Sequence, residues 1–312
     1  MAGNNNRANV LLIGGTGRCG TNLLKNLLST NNDVFSLPFE TRFTIDPDGI
    51  VDFLNTVKNN WNPYVVSEKI DRLGLLLKKL QSNCKMNDSY IDWELDRHIP
   101  NFEIATIDLM QQLRSISFYG TWCGDKSDAN KMHYATHSYE ELIEVFRGFS
   151  DTLVDGILKK NTAKVYVEDN TWNVLHADYL QDLFSRPKLI HVYRAPRDVV
   201  ASLLEQSWMP NDIEHVVSCY KKMIDIWRQK KELLNDNFFI EVKFEDLVSN
   251  PKKIISDICD FAQLELQSDY FDSTIVSTKS SNIGGWGSRL TDSQRRYVMN
   301  NLQEEEEYFG YV

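Results

Sequence analysis

The stretch "NVLLIGGTGRCGTNLLKNLLS", residues 9–29, constrains this chain more than any other. The aliphatic run Val10 to Ile13 is apolar on both faces and far too short to span a membrane, so it predicts a strand buried inside a parallel sheet. The glycines that follow predict a tight turn, and the apolar spacing from Thr21 to Ser29 predicts a helix whose free backbone N–H groups point back at that turn. Such a turn binds an anion, because partial positive charge gathers at a helix N-terminus. Gly15 to Gly20 satisfy the GxxxxG half of a nucleotide loop. A Walker loop would continue with Lys and Ser or Thr, one for the terminal phosphates and one for magnesium. Here Thr21 and Asn22 stand in those places, and the cation is Arg18 inside the turn.

The same alternation of strand and helix recurs. Ala163 to Glu168 precedes Asn173 to Phe184, Lys188 to Tyr193 precedes Pro196 to Glu205, and Phe238 to Lys243 precedes Asn250 to Phe261. This predicts an α/β fold with a central parallel sheet flanked by helices, of the P-loop NTPase-like kind. From about 45 to 160 the patterns are amphipathic and helical, as in "VVSEKIDRLGLLLKKL" and "SYEELIEVFRGFSDTLVDGILKK". The polar stretch "TWCGDKSDANKMHYATHS" reads as a loop, and the region as a helical cap inserted into a single domain of residues 1–312. The acidic run at 304–307 reads as a solvated helix face.

A net charge of -10 argues against a nucleic-acid partner. Five cysteines, odd in number and never spaced CxxC, argue against a disulfide framework or a structural zinc site and for a reducing, cytoplasmic setting. No apolar run is long enough for a membrane span.

A second anion motif lies in "PKLIHVYRAPRDVVASLLEQ", residues 187–206. Arg194 ends a buried strand, Pro196 opens the next helix where its missing N–H costs nothing, and Ser202 lies eight residues after the arginine. An arginine so placed can clamp a phosphate with two parallel hydrogen bonds.

Together the two motifs resemble the sulfotransferase family that uses 3′-phosphoadenosine 5′-phosphosulfate (PAPS), whose [KR]SGT[TS] loop holds the 5′-phosphosulfate and whose Arg-x-x-Arg-Asp segment holds the 3′-phosphate. The resemblance implies that Gly17, Arg18, Cys19, Gly20, Thr21 and Asn22 serve the first site, and Arg194 and Ser202 the second. "VEDNTWNVLHADYLQDLF" and "VKFEDLVSNPKKIISDICDFAQLEL" resemble further family segments. "KSSNIGGWGSRLT" is similar to the late loop over the nucleotide, which implies contacts from Lys279, Gly284, Gly285 and Trp286. The implied fold is that of the sulfotransferases, the implied product adenosine 3′,5′-bisphosphate, and no metal is implied. The partner is a hydroxyl-bearing acceptor: carbohydrate, small molecule or peptide tyrosine. A homodimer is compatible with this reading.

In-line sulfuryl transfer needs charge stabilised on the leaving oxygen, a task for Arg18, and a base for the acceptor proton. The stretch "LPFETRF" resembles the Glu-Thr-Arg stretch of the tyrosylprotein branch, with Glu40 22 residues after Arg18. Glu40 is therefore the candidate base, against the plainer reading of an ion pair with Arg42. His133 and His137 are the histidine alternative, expected on an exposed loop. Arg42, Trp122, Lys126, His133 and His137 are candidate acceptor contacts, with Tyr119, Lys131 and Tyr134 nearby. Trp172 and Trp208 read as packing residues rather than as ring-stacking ones. Two rival functions are a P-loop nucleotide kinase or phosphotransferase and a non-catalytic nucleotide-binding protein.

Overall fold

The computed structural model describes residues 9–84, 93–120, 130–264 and 283–311. The chain divides into two compact units, one of residues 1–36, 164–181 and 186–312, the other of residues 37–163 and 182–185.

The first unit is a five-stranded sheet built from β1 (Val10–Gly14), β2 (Val34–Ser36), β5 (Val165–Asp169), β6 (Pro187–Tyr193) and β7 (Phe239–Lys243). Its order is β2-β5-β1-β6-β7, and every neighbouring pair is parallel. β1 is buried along its whole length, as an aliphatic run at the centre of a parallel sheet must be. Helices α1 (Thr21–Leu28), α8 (Pro196–Leu203), α9 (Ile213–Lys231), α10 (Phe244–Ser249) and α11 (Pro251–Ala262) belong to this unit. Leu23, Leu24, Leu27 and Leu28 of α1 share one core with Ile13, Val167, Val192, Val199 and Ile258. The connection leaving β1 runs toward β2, and the one leaving β6 toward β7. The carboxyl ends of β1 and β6, which pair directly, thus flank the switch point where open α/β sheets bind ligands. The segment expected as one helix from Asn173 is instead a 3₁₀ turn, Asn173–His176, and the short α7 (Ala177–Leu180).

The acidic run differs from its sequence reading. Glu305 and Glu306 of the helix Gln303–Tyr308 are buried, Glu306 paired with Arg197 and Glu305 with Lys221 at 3.2 Å, while Glu304 meets Arg228 at 2.5 Å. Basic residues far away in sequence turn a solvated face into an anchored one.

The second unit holds α2 (Ile50–Asn60), α3 (Pro63–Lys79), α4 (Leu95–His98), α5 (Phe102–Leu113) and α6 (Tyr139–Asn161). Asn62 caps α3 by accepting from Val65 N at 3.0 Å, with Pro63 in the first turn. Ser138 and Glu141 form a capping box on α6. Phe53 packs edge-on to Phe146, and Phe43 to Phe149. The unit also contains a two-stranded antiparallel ribbon, β3 (Ile116–Gly120) with β4 (Asn130–Tyr134), in the region read from sequence as helix and loop. Here cross-strand pairing overrides the polar composition of "NKMHY".

Candidate active site

The turn after β1 is shaped by contacts that few side chains would permit. A Cβ on Gly15 would come within 2.6 Å of the Val192 carbonyl and 2.3 Å of Cys19 Sγ, so β1 and β6 approach as closely as they do only through glycine. Gly15 N donates to Thr171 O at 2.8 Å. Gly17, Arg18 and Gly20 all take positive φ, of 84°, 57° and 107°. At Gly20 an added Cβ would meet the Phe244 ring at 2.4 Å. Gly20 is the N-cap of α1; no side chain caps the helix there and its first turn holds no acidic residue. The start of α1 is therefore left without a side-chain cap or an acidic residue of its own first turn, as suits a helix end that would meet an anion.

The two motifs, 184 positions apart, converge. Arg18 Nε donates to Ser202 Oγ at 3.0 Å, and Arg194 Nη1 donates to the Arg18 carbonyl at 3.1 Å. Arg194 is buried, its guanidinium 5.0 Å from the Phe244 ring centre and 3.5 Å from Asp198. Burial pulls Arg194 below the ordinary arginine value, and Asp198 and Glu245 pull the other way.

Asp198, buried within α8, also accepts from Gly284 N at 2.8 Å and Trp286 N at 2.9 Å. It fastens Gly284 and Trp286 of the late loop, with Gly285 between them, to the second motif. Trp286 lies under the Arg197 guanidinium at 5.1 Å. Sequence reading passed over Asp198, although its place four residues after Arg194 on an incoming helix was a signal for just such a pair. Lys279 lies outside the described residues.

The Cys19 thiol packs in the core, where burial raises it to about 11 against the opposing backbone N–H groups of Thr16, Gly17 and Cys19. What Cys19 presents to the turn is its backbone. Asp169, buried at the end of β5, hydrogen-bonds the Thr21 hydroxyl and lies 3.4 Å from Lys25 Nζ. Burial raises its carboxyl, with Lys25 and Thr21 opposing. The residue in the Walker-lysine position thus spends its hydroxyl on the fold.

In the second unit, Arg42 Nη2 meets Glu40 Oε2 at 2.6 Å and Arg42 Nη1 meets Asp46 at 3.5 Å. The Arg42 guanidinium lies over Trp93 at 5.4 Å, and Trp93 Nε1 donates to the Glu40 carbonyl at 2.7 Å. The ion pair weighed against a catalytic Glu40 is therefore present. His133 is not on an exposed loop: it lies on β4, buried, with Nδ1 2.8 Å from Ser117 Oγ, and its backbone N–H donates to Ser67 Oγ at 3.2 Å. Burial lowers its imidazole, with Arg114 acting in the same sense. His137 Nδ1 is 3.2 Å from Ser115 Oγ. Trp122 and Lys126 lie outside the described residues.

No helix among the described residues is long and apolar enough to cross a membrane. Cys19, Cys84, Cys219 and Cys259 are free thiols.

The model of the sulfotransferase family matches residues 11–268. No curated protein matches the sequence. Among solved structures, the chain is similar to the sulfotransferase domain of the Synechococcus PCC 7002 olefin synthase, at 15% identity and TM-score 0.44, covering 91% of this chain and 88% of that one. It is similar to a sulfotransferase of Mycobacterium tuberculosis H37Rv at 14% identity and TM-score 0.44, covering 91% and 76%. It is also similar to retinol dehydratase in complex with androsterone and the inactive cofactor PAP, at 13% identity and TM-score 0.35, covering 95% and 81%.

Proposed function

Since the chain belongs to the sulfotransferase family, we propose that it moves a sulfuryl group from PAPS to a hydroxyl acceptor without a metal. The observation that carries this reading is the convergence of Arg18, Ser202 and Arg194 at the carboxyl ends of β1 and β6. An uncapped helix start beside two arginines fits a ligand with two separate anionic groups. The backbone N–H groups of residues 20–22 and Arg18 take the 5′-phosphosulfate. Arg194 and Ser202 take the 3′-phosphate, and the loop of Gly284, Gly285 and Trp286, with Lys279, covers the nucleotide.

The acceptor oxygen attacks sulfur as the bond from sulfur to the 5′-phosphate oxygen breaks. The bonding pair leaves with adenosine 3′,5′-bisphosphate, and the acceptor proton passes to a base. Arg18 offsets the charge that grows on the leaving oxygen. Glu40 is our candidate base, supported by its Glu-Thr-Arg context, with His133 and His137 as the alternatives. The second unit supplies the acceptor contacts, among them Arg42, Trp122, Lys126 and the two histidines, and the free thiols favour a cytoplasmic reaction.

Thermal unfolding with adenosine 3′,5′-bisphosphate, compared with ATP and magnesium, tests the reading. A ligand of the native state at a hundred times its Kd adds about 2.7 kcal/mol. A rise in Tm with the bisphosphate and none with ATP supports sulfuryl transfer. The reverse pattern overturns the reading in favour of an ATP-binding protein of the nucleotide-kinase kind.

A further inference from the structure

Trp172 and Trp208 do not pack as core. They are 40% and 50% exposed, with ring centres 6.3 Å apart and planes at 79°. Both stand at the anion turn. A Cβ on Gly17 would have as its three nearest neighbours Trp208 Cη2 at 3.3 Å, Thr171 Cγ2 at 3.4 Å and Leu203 Cδ2 at 3.7 Å, all of them carbon.

Both rings also rise from backbone that is pinned. Trp172 N donates to Asn170 Oδ1 at 3.2 Å, its carbonyl accepts from Leu175 N at 2.9 Å, and the preceding Thr171 carbonyl is held by Gly15 N. Trp208 is carried by a turn in which Gln206 Nε2 donates to Ser202 O at 2.9 Å and Met209 N donates to Gln206 O at 3.2 Å, with Met209 packed on the core. Large aromatic surface left in water on a fixed frame is unfavourable for folding alone, and beside a polar cradle it is the usual composition of a ligand site.

We propose that Trp172 and Trp208 form an aromatic wall that stacks a planar ring of the acceptor, making this chain selective for aryl hydroxyls. The inference rests on the sulfotransferase reading. Gly17 belongs to the turn that would hold the 5′ end of the donor, so a ring against this wall lies at the end where the sulfuryl group is handed over. A perpendicular pair of indoles offers one ring a face and an edge together, an arrangement favoured by aromatic quadrupoles. The three atoms nearest Gly17 on this side are all carbon, which favours an aromatic ring over a saccharide.

The test measures binding of 2-naphthol, and of maltose as a contrast, to the full chain saturated with adenosine 3′,5′-bisphosphate, by titration calorimetry, so that no turnover is required. Wild type should bind 2-naphthol, and Trp208→Ala and Trp172→Ala should each weaken it about tenfold. Trp208→Phe should recover most of the loss, and bisphosphate affinity should stay unchanged in every variant. In turnover the same variants should raise KM for 2-naphthol more than they lower kcat. Three results overturn the proposal: no binding of 2-naphthol by wild type, alanine variants within twofold of wild type, or an equal loss of bisphosphate binding, which would give the rings to the donor's base. Failure of wild type to bind the bisphosphate at all would instead remove the sulfotransferase reading beneath it.

Discussion

Each unit holds an arginine in the left-handed backbone region, Arg18 at φ 57° and Arg42 at φ 65°, and the two serve opposite ends. An L-residue there costs about 1–2 kcal/mol, so each is held by its surroundings. Arg42 is half-buried, faces two carboxylates, Glu40 and Asp46, and lies over an indole. Its charge is neutralised within the fold. Arg18 is exposed, touches the neutral hydroxyl of Ser202, and has no acidic partner among the described residues. The same backbone strain thus serves packing in one place and keeps a cation available in the other, and the neighbouring carboxylates mark the difference.

That contrast is most exposed to a test at Arg18. Arg18→Ala should lower sulfuryl transfer about a thousandfold, the scale of losing a principal charge stabiliser, while stability changes by no more than about 0.5 kcal/mol. Near-normal turnover would show that the charge of Arg18 is as structural as that of Arg42. The second unit comes next. Glu40→Gln should reduce kcat about a hundredfold with bisphosphate affinity kept, whereas Arg42→Ala should cost about 1–2 kcal/mol of stability, as a part-exposed ion pair and a cation–π contact are worth, and less than tenfold in kcat. Equal kinetic losses would mean that Glu40 only pairs with Arg42, and would turn attention to His133 and His137.

The smallest effect belongs to Cys19, the neighbour of Arg18. Its thiol is raised from 9.0 to about 11 by burial, so the folded state keeps a proton that the unfolded chain releases first. The stability this contributes is complete below pH 9 and is lost as pH climbs from 9 through 11. Denaturant midpoints should fall across that window more steeply in wild type than in Cys19→Ala. Cys19→Ser should alter transfer by less than about threefold, since the core and not the ligand holds the thiol. Rapid native-state alkylation of Cys19 at pH 8 would contradict its burial.

The parts legible in the sequence are those where local pattern and tertiary environment agree. β1, β5 and β6 lie inside the sheet, where parallel strands are covered on both faces, and their apolar residues mark it, while β7 is an edge strand in which only Val242 is buried; Gly17 and Gly20 of the turn mark the left-handed backbone they adopt. β2, with three residues, is too short to show a period in the sequence. The β3–β4 ribbon was read as helix and loop because Ile116 and Phe118 lie on an exposed strand, where apolar residues carry no burial signal. Half of the acidic run 304–307 is buried because Arg197 and Lys221 arrive from distant elements.

The sequence by itself determined the turn, the helix behind it, the order of the strands along the chain and the family. The first three follow from neighbours in the chain, through backbone sterics and burial period, and the family from the resemblance carried by the two anion motifs. Only the tertiary structure decided that Arg18 lies on Ser202 and beside Arg194, that Asp198 holds the late loop, and that two tryptophans stand in solvent by Gly17. Each of those depends on groups dozens to nearly two hundred positions apart, and distance along a chain says nothing of distance in space until strands pair and bring their carboxyl ends to one edge of the sheet.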